Sequence, residues 1–212
     1  MSHPNATVFI VDDDASVLTG LSRLVRSTGM KAQTFASAEE FFKTATFSVN
    51  QPICLLVDLQ MPGMGGLEVQ SRLRHHPSQC PIIFISGNGD IPSTVQAMKH
   101  GAVTFLQKPC DDTSLLQAIN EAILQHEQVI RNRGREGDVR ERVASLSERE
   151  LEVMTWVITG ALNKQIAGAL DIVEKTVKVH RARVLEKMRV NSVAELVRLC
   201  DLVGIKPATS SP

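Results

Sequence analysis

Ile53-Cys54-Leu55-Leu56-Val57-Asp58-Leu59-Gln60-Met61-Pro62-Gly63-Met64-Gly65-Gly66 is the stretch that decides the fold. Five apolar residues end on a lone carboxylate, and a flexible glycine-rich loop, 61–66, leads into a helical stretch from Leu67 to about His75. A short apolar run without polar alternation reads as a strand buried on both faces, as in a parallel sheet covered by helices. The same grammar recurs on either side. Val8-Phe9-Ile10-Val11 ends on Asp12-Asp13-Asp14, Ile82-Ile83-Phe84-Ile85 ends on Ser86, and Val103-Thr104-Phe105-Leu106 leads to Lys108-Pro109. Only the run from Lys31 to Phe35 ends without a charged or hydroxyl group.

The helices between these runs are marked by their ends. Asp14 suits the N-cap of a helix from Ala15 to Gly29, and Ser37-Ala38-Glu39-Glu40 is a capping-box pattern. Pro92 fits the first turn of a helix ending at Gly101, and Asp111 or Asp112 starts a fifth. Five strands alternating with five helices over residues 1–124 specify an α/β doubly wound domain of flavodoxin-like type, its five-stranded parallel sheet in the order 2-1-3-4-5.

Ligands of such sheets bind beyond the carboxyl ends of the strands, where the polar residues of this chain gather. Asp58, ending the central third strand, is placed as a carboxylate nucleophile for phosphoryl transfer. Asp12 and Asp13 add negative charge that a pocket does not hold unpaired. A hard divalent ion, Mg²⁺ (or Mn²⁺), relieves it, and the side chains of Asp13 and Asp58 with the main-chain carbonyl of Gln60 are its expected ligands. Ser86 and Lys108 are expected to bind oxygens of the phosphoryl group by hydroxyl and ammonium. Each residue taken singly has a plainer reading: Asp14 as a cap, Ser86 as the start of a turn through Gly87-Asn88-Gly89, Lys108 as a solvated surface group. Chance turn residues need not supply a nucleophile, two ligands, a hydroxyl and a cation together, and the conjunction favours the phosphoryl site.

Lys and Arg number 23, as do Asp and Glu, so the chain is neither a polyanion mimic nor a basic coat protein. The balance conceals a polarity: residues 1–124 carry 8 basic against 11 acidic groups, and residues 125–212 carry 15 against 12. An acidic front and a basic back point to different partners. Cys54, Cys80, Cys110 and Cys200 form no C-x-x-C pair and sit in apolar surroundings, as reduced thiols do. No stretch approaches the length of a membrane span, and the polar start from Met1 to Thr7 is unlike a signal peptide, so a cytoplasmic protein without a membrane partner is expected.

From about Gln125 to Ala144 the composition turns to Gln, Glu and Arg, with Gly134 and Gly137 inside Arg131-Asn132-Arg133-Gly134-Arg135-Glu136-Gly137. This reads as a connector, 125–146, partly helical, with a break or fraying near the two glycines. Residues 147–212 form a separate all-α domain of four helices. Ser147-Glu148-Arg149-Glu150 is a capping box before the first, which Gly160 ends; Asn163 to Leu170 is the second; Asp171-Ile172-Val173 is a tight turn; Glu174 to about Arg189 is the third; and Ser192-Val193-Ala194-Glu195 caps the fourth. A short helix, a three-residue turn and a longer basic helix make a helix-turn-helix unit. Periodicity sets Val177, Val184 and Met188, with His180, toward the core, and Lys175, Lys178, Val179 and Ala182 toward a major groove. Arg181, Arg183 and Lys187 flank that stripe and suit phosphates. Trp156 belongs to the core.

These residues resemble a known family. D-D at the first strand end, D-x-x-M-P-G-M-x-G at the third, S-G at the fourth and K-P at the fifth are similar to the receiver domain of two-component response regulators, over residues 7 to about 122. Ser86-Gly87-Asn88-Gly89-Asp90-Ile91-Pro92 through Ala97-Met98-Lys99 to Gly101-Ala102 resembles the FixJ/StyR-like branch. The resemblance implies Asp58 as phosphoacceptor, Asp12 and Asp13 as the acidic pair, Ser86 and Lys108 as switch hydroxyl and lysine, Phe105 as the switch aromatic, and a cis Lys108–Pro109 peptide. Cys110, where the family usually has Phe, and Asn88, where this branch often has His, depart from the pattern. L-S-x-R-E-x-E-V from Leu146, N-K-x-I-A from Asn163, T-V-K-V-H from Thr176 and L-x-K-M from Leu185 resemble the LuxR/NarL-type DNA-binding domain. That resemblance implies base contacts from Lys178 and Val179, backbone support from Thr176 and Lys164, and a fourth helix that pairs two copies. Val173 stands where the family usually has a capping Ser, and Ala182 offers a groove only apolar contact.

The function implied is a phosphorylation-gated transcription regulator rather than an enzyme. A sensor histidine kinase donates to Asp58, the face of the fourth helix and fifth strand becomes a homodimer surface, and two domains bind double-stranded promoter DNA; RNA polymerase is a further candidate partner. A flavodoxin-like phosphotransferase or nucleotide-binding enzyme is disfavoured by the lack of a glycine-rich loop after the first strand. An interaction module regulated without phosphorylation is disfavoured because every acidic and switch position is filled.

Overall fold

The computed structural model describes residues 3–48, 50–87 and 91–209, so Asn88 and its neighbours Gly89 and Asp90 lie outside the described residues. The chain divides into two compact units, 1–131 and 132–212.

In the first unit, β1 (Thr7–Val11), β2 (Lys31–Phe35), β3 (Ile53–Asp58), β4 (Ile82–Ser86) and β5 (Thr104–Gln107) form a parallel sheet in the order β2-β1-β3-β4-β5. Around it lie α1 (Ala15–Ser27), α2 (Ala38–Thr44), α3 (Gly66–Leu73), α4 (Ile91–Lys99) and the first part of α5 (Asp112–Ala144). Every residue of β1, β3 and β4 is buried, which accounts for their unbroken apolar runs. Alternate residues feed opposite faces. Phe9, Val11, Leu55, Val57 and Phe84 pack with Phe41, Val69 and Ala97 on one side, while Val8, Ile10, Leu56, Ile83 and Ile85 pack with Val25, Leu115, Ile119 and Ile123 on the other. The first face is sealed by aromatic edges, with Phe9 and Phe35 at 5.8 and 5.3 Å from the Phe41 ring.

Local signals account for the helix starts. Asp14 accepts from the amides of Ser16 and Val17 and caps α1. Ser37 accepts from Glu40 N, while the Glu40 carboxylate accepts from Ala36 N. The loop 61–66 is less free than its glycines suggest: Met61 and Met64 are buried in the core, and the Glu39 carboxylate accepts from Met64 N at 3.2 Å. α3 begins at Gly66 itself.

The expected break at Gly134 and Gly137 is absent: α5 is continuous from Asp112 to Ala144. Two interior glycines cost about 0.5–1 kcal/mol each relative to Ala, yet the flanking residues are good helix formers and i,i+4 pairs Arg131–Glu127 and Arg142–Asp138 sit on either side. The packed faces decide the outcome, because Leu115, Ile119 and Ile123 are buried in the first unit and Val139 in the second. The stretch read as a connector also holds a structural residue. His126 is buried, accepting from Ile53 N at 3.0 Å through Nδ1, with Nε2 2.7 Å from the Ser78 carbonyl.

The second unit packs the end of α5 with α6 (Glu148–Val157), α7 (Asn163–Ala169), α8 (Glu174–Met188) and α9 (Val193–Leu202). Val153, Met154, Val157, Ile166, Val177, Val184, Met188, Leu196 and Cys200 make its core, with Trp156 partly buried against it. Ser147 and Glu150 close the capping box of α6, and Ser192 accepts from Glu195 N to cap α9. Val173, the N-cap of α8, makes no side-chain cap bond, and Arg189, its C-cap, is in the left-handed conformation, φ 53°. All four cysteines are free thiols. Among the described residues no helix is long and apolar enough to cross a membrane.

Candidate functional site

Sheet register builds the first site. Val11 pairs with Val57, Asp58 with Ile85, and Ser86 with Gln107, so Asp12, Asp58, Ser86 and Lys108 fall at the same edge of four neighbouring strands. Asp12 and Asp58 are 2% and 6% exposed. The Lys108 ammonium reaches into the space between them, 2.5 Å from Asp12 Oδ2 and 3.0 Å from Asp58 Oδ1. Backbone amides fill the other oxygens: Asp14 N donates to Asp12 Oδ1 at 3.0 Å, and Gln60 N donates to Asp58 Oδ2 at 2.8 Å.

Burial pushes the Asp58 carboxyl above its ordinary pKa, against the opposing pull of Lys108. Burial also works against the Lys108 ammonium, but its bonds to Asp12 and Asp58 outweigh that, and its pKa is raised. Ser86 is buried, and its carbonyl accepts from Lys108 N at 2.8 Å, which fixes β5 against β4 at the site. Asp13 is exposed at the rim, beside the bridged pair rather than within it. Phe105 is partly buried against the core face that also holds Phe84 and Ala97. The Lys108–Pro109 peptide is cis.

Two positioning residues here carry no short-range sequence signal. Gly66 lets α3 approach the end of β3: a Cβ there would lie 2.4 Å from the Asp58 carbonyl oxygen and 2.9 Å from Phe84 Cε1. Glu39 holds the intervening loop through Met64 N. Neither a glycine in a glycine-rich loop nor one helical glutamate announces such a contact.

The second site is the helix-turn-helix formed by α7 and α8. Asp171, φ 51°, turns the chain, and Ile172 N donates to Ala167 O at 3.0 Å. Val177, Val184 and Met188 are buried, whereas Lys164, Lys175, Lys178, Val179, Ala182 and Arg183 are exposed and Thr176 and His180 are half-buried. The division read from periodicity is therefore the division of the helix. Lys178 pairs loosely with Glu174 at 3.6 Å.

Two of the flanking cations have structural partners. Arg181 is half-buried and its guanidinium donates to Asn163 Oδ1 at 3.2 Å, tying α8 to α7. Lys187 donates to Glu150 Oε2 at 2.6 Å and to the Ser145 carbonyl at 3.0 Å, so it pins α8 to the start of α6. Bonded to Lys187 and to Ser147 N, the buried Glu150 carboxyl is held down at about 2. Arg142 donates to the Met188 carbonyl at 3.0 Å and caps the end of α8.

Comparison with known proteins decides what these two sites belong to. The family model described as response regulator receiver domain matches residues 8–120, and the model described as bacterial regulatory proteins, luxR family, matches residues 144–200. The chain belongs to the response regulators. It is similar to the response regulator protein TodT of Pseudomonas putida, with 45% identity over 201 residues covering 95% of this chain and 88% of TodT. It is also similar to the transcriptional regulatory protein FixJ of Bradyrhizobium diazoefficiens, with 39% identity covering 93% of this chain and 96% of FixJ. Among solved structures, the response regulator StyR superposes with a TM-score of 0.81 at 43% identity, covering 93% of this chain and 98% of StyR. This response regulator thus joins a receiver to a LuxR-type helix-turn-helix and is a phosphorylation-dependent, DNA-binding transcriptional regulator of the FixJ/StyR-like branch. Its receiver implies a histidine kinase as partner and its helix-turn-helix implies DNA.

Proposed function

We propose that this regulator takes its phosphoryl group on Asp58, from a phosphohistidine of a sensor kinase. A carboxylate oxygen forms the new O–P bond as the N–P bond to the imidazole breaks. The observation that carries this reading is the Lys108 ammonium held between the buried Asp12 and Asp58. It marks a point where strong negative charge is already compensated and where more arrives with the phosphoryl group. Lys108 then shifts its contact to a phosphoryl oxygen, and the Ser86 hydroxyl binds another. Phe105 turns inward behind the serine.

The donor set at this edge is all oxygen, and the carboxylates of Asp12, Asp13 and Asp58 outnumber the ammonium of Lys108. That composition fits Mg²⁺ or Mn²⁺, with Asp13, Asp58 and the Gln60 carbonyl as its ligands and Asp12 alongside. When bound, the ion supplies charge neutralisation of the phosphoryl oxygens.

Output passes through α4 and β5 to a homodimer. Ile91, Val95 and Met98 are 79%, 44% and 43% exposed on α4, an apolar stripe suited to a second copy. In the second unit, Lys175, Lys178, Val179 and Ala182 enter the major groove, Lys178 and Val179 reading bases, while Lys164, Thr176 and Arg183 hold the backbone and Arg181 positions α8. The receiver proper is residues 1–124, the connector is the helical stretch 125–146, and residues 147–212 bind promoter DNA in the cytoplasm, where RNA polymerase is the further partner.

The test is phosphorylation by acetyl phosphate with Mg²⁺. Wild-type protein incorporates the group; Asp58→Asn keeps its fold by circular dichroism and incorporates none. Mutant protein labelled to the wild-type extent would move the nucleophile elsewhere.

A further inference from the structure

The last turns of α5 are built into the second unit rather than leading up to it. Val139 is buried in that unit's core, and Val143 and Leu146 pack partly buried against it. Arg142 lies on the same stretch of α5, and Lys187 reaches back from α8 to the Ser145 carbonyl at 3.0 Å. Asp138, Val139, Arg142 and Val143 all precede residue 144, where the match to the luxR family begins.

Arg142 gives this contact its chemistry. Its side chain is 21% exposed, Nη2 pairs with the Asp138 carboxylate one turn earlier, and Nη1 donates to the Met188 carbonyl at 3.0 Å. Met188 ends α8, and a carbonyl in the last turn has no partner within its own helix. A guanidinium placed there also meets the negative end of the helix dipole. Asp138 orients the fork and holds it in place. With Lys187 bonded to Ser145 and Glu150, the carboxyl end of α8 has two charged anchors, while Arg181 ties the helix to Asn163 nearer its middle.

We infer that Arg142 is a positioning residue for DNA reading: without touching DNA, it sets the tilt of α8 and so the placement of Lys178 and Val179. The inference rests on the reading that these two residues face bases. The lever is long. α8 has 15 residues, so at about 1.5 Å per residue it spans about 22 Å, and a tilt of about 5° displaces one end against the other by about 2 Å. A recognition constellation tolerates about 0.5 Å. Base contacts are therefore lost before phosphate contacts, which flexible lysine stems re-form from a shifted helix.

The test uses the full-length protein and two duplexes, one enriched by the wild type from a randomised pool and one of scrambled sequence. Affinities are read by fluorescence anisotropy across a salt series. Arg142→Ala should weaken binding to the enriched duplex about 2–30-fold, the range for a residue that acts through others. Binding to the scrambled duplex should stay near wild type, so the ratio of the two affinities falls. The slope of log affinity against log salt should not change, because no phosphate contact is lost. Arg142→Lys, which keeps one donor for the Met188 carbonyl, should recover part of the ratio. Partial unfolding alone would weaken both duplexes by one factor, and a ratio left intact in this way overturns the proposal. A shallower salt slope overturns it too, by making Arg142 a phosphate contact. Should Arg142→Ala fail to fold, Asp138→Ala, at a half-exposed side chain, decides on the same ratio. Lys178→Ala in the same assay reads the base-facing stripe itself. A ratio that falls with Lys178→Ala but not with Arg142→Ala refutes the positioning role alone, and a ratio untouched by Lys178→Ala refutes the stripe and the inference with it.

Discussion

At Gly66 a single methyl group would strain the end of the strand that carries Asp58. The added Cβ would meet the backbone oxygen of Asp58 at 2.4 Å and Phe84 at 2.9 Å, and neither can retreat inside a close-packed core. Gly66→Ala should therefore cost about 1–3 kcal/mol, read as a lower urea midpoint, and should slow labelling of Asp58 by displacing the carbonyl end of its strand. An unchanged midpoint would show that the contact relaxes freely. At Glu150 the relevant quantity is charge. Its carboxyl is held at about 2 against an ordinary 4.5, chiefly by the side-chain bond to Lys187. A depressed folded-state pKa contributes stability that is fully present above the unfolded value and is lost as pH falls from about 4.5 toward 2. Trp156, the single tryptophan, lies in the second unit and reports its unfolding alone. Glu150→Gln should lower the fluorescence-detected urea midpoint at pH 7 and flatten its decline between pH 5 and 3. A parallel decline in both proteins would assign the acid sensitivity to other groups.

Among the elements, α5 departs furthest from local expectation. Glycines at 134 and 137 argue for a break by propensity, but a helix is held by its packed faces more than by propensity. Leu115 to Ile123 anchor one end and Val139 the other. Nothing lies within 4 Å of a Cβ added at either glycine. Gly134→Ala and Gly137→Ala should each stabilise the second unit by about 0.5–1 kcal/mol, again read by Trp156, and increase helical circular dichroism. Substitutions that leave both signals unchanged would mean the segment is not helical in solution. α8 shows the complementary case, where local reading succeeded. Its buried stripe of Val177, Val184 and Met188 follows the helical period, so its exposed stripe did too.

For the whole molecule, the two units combine a receiver and a DNA-binding domain, and in the function proposed above dimerisation is the step that joins them. One helix-turn-helix makes few phosphate contacts, so a lone domain binds a half-site weakly. Pairing two makes the second contact intramolecular and raises avidity about 10²–10⁴-fold. Beryllofluoride with Mg²⁺ should double the mass of the full-length protein by light scattering and tighten promoter binding together, and Ile91→Glu with Val95→Glu should abolish both. DNA affinity that rises while the protein stays monomeric would point to release of an internal inhibitory contact.

The alternation of strands and helices, the sheet order, the capping residues at Asp14, Ser37, Ser147 and Ser192, and the exposed stripe of α8 were all legible in the sequence. They rest on periods of two and 3.6 residues and on bonds that span three or four positions. So was the list of residues at the strand ends, because a parallel sheet sends every carboxyl end to one edge. Tertiary structure alone decided how they meet. Lys108 lies 96 residues from Asp12, and only the β1-β3-β4-β5 neighbourhood brings its ammonium between two carboxylates. The same holds for Lys187, bonded to Glu150 from 37 residues away, and for His126, buried against Ile53 from 73 residues away. Such contacts are set by which faces pack together, and no window of sequence shorter than the core contains that choice.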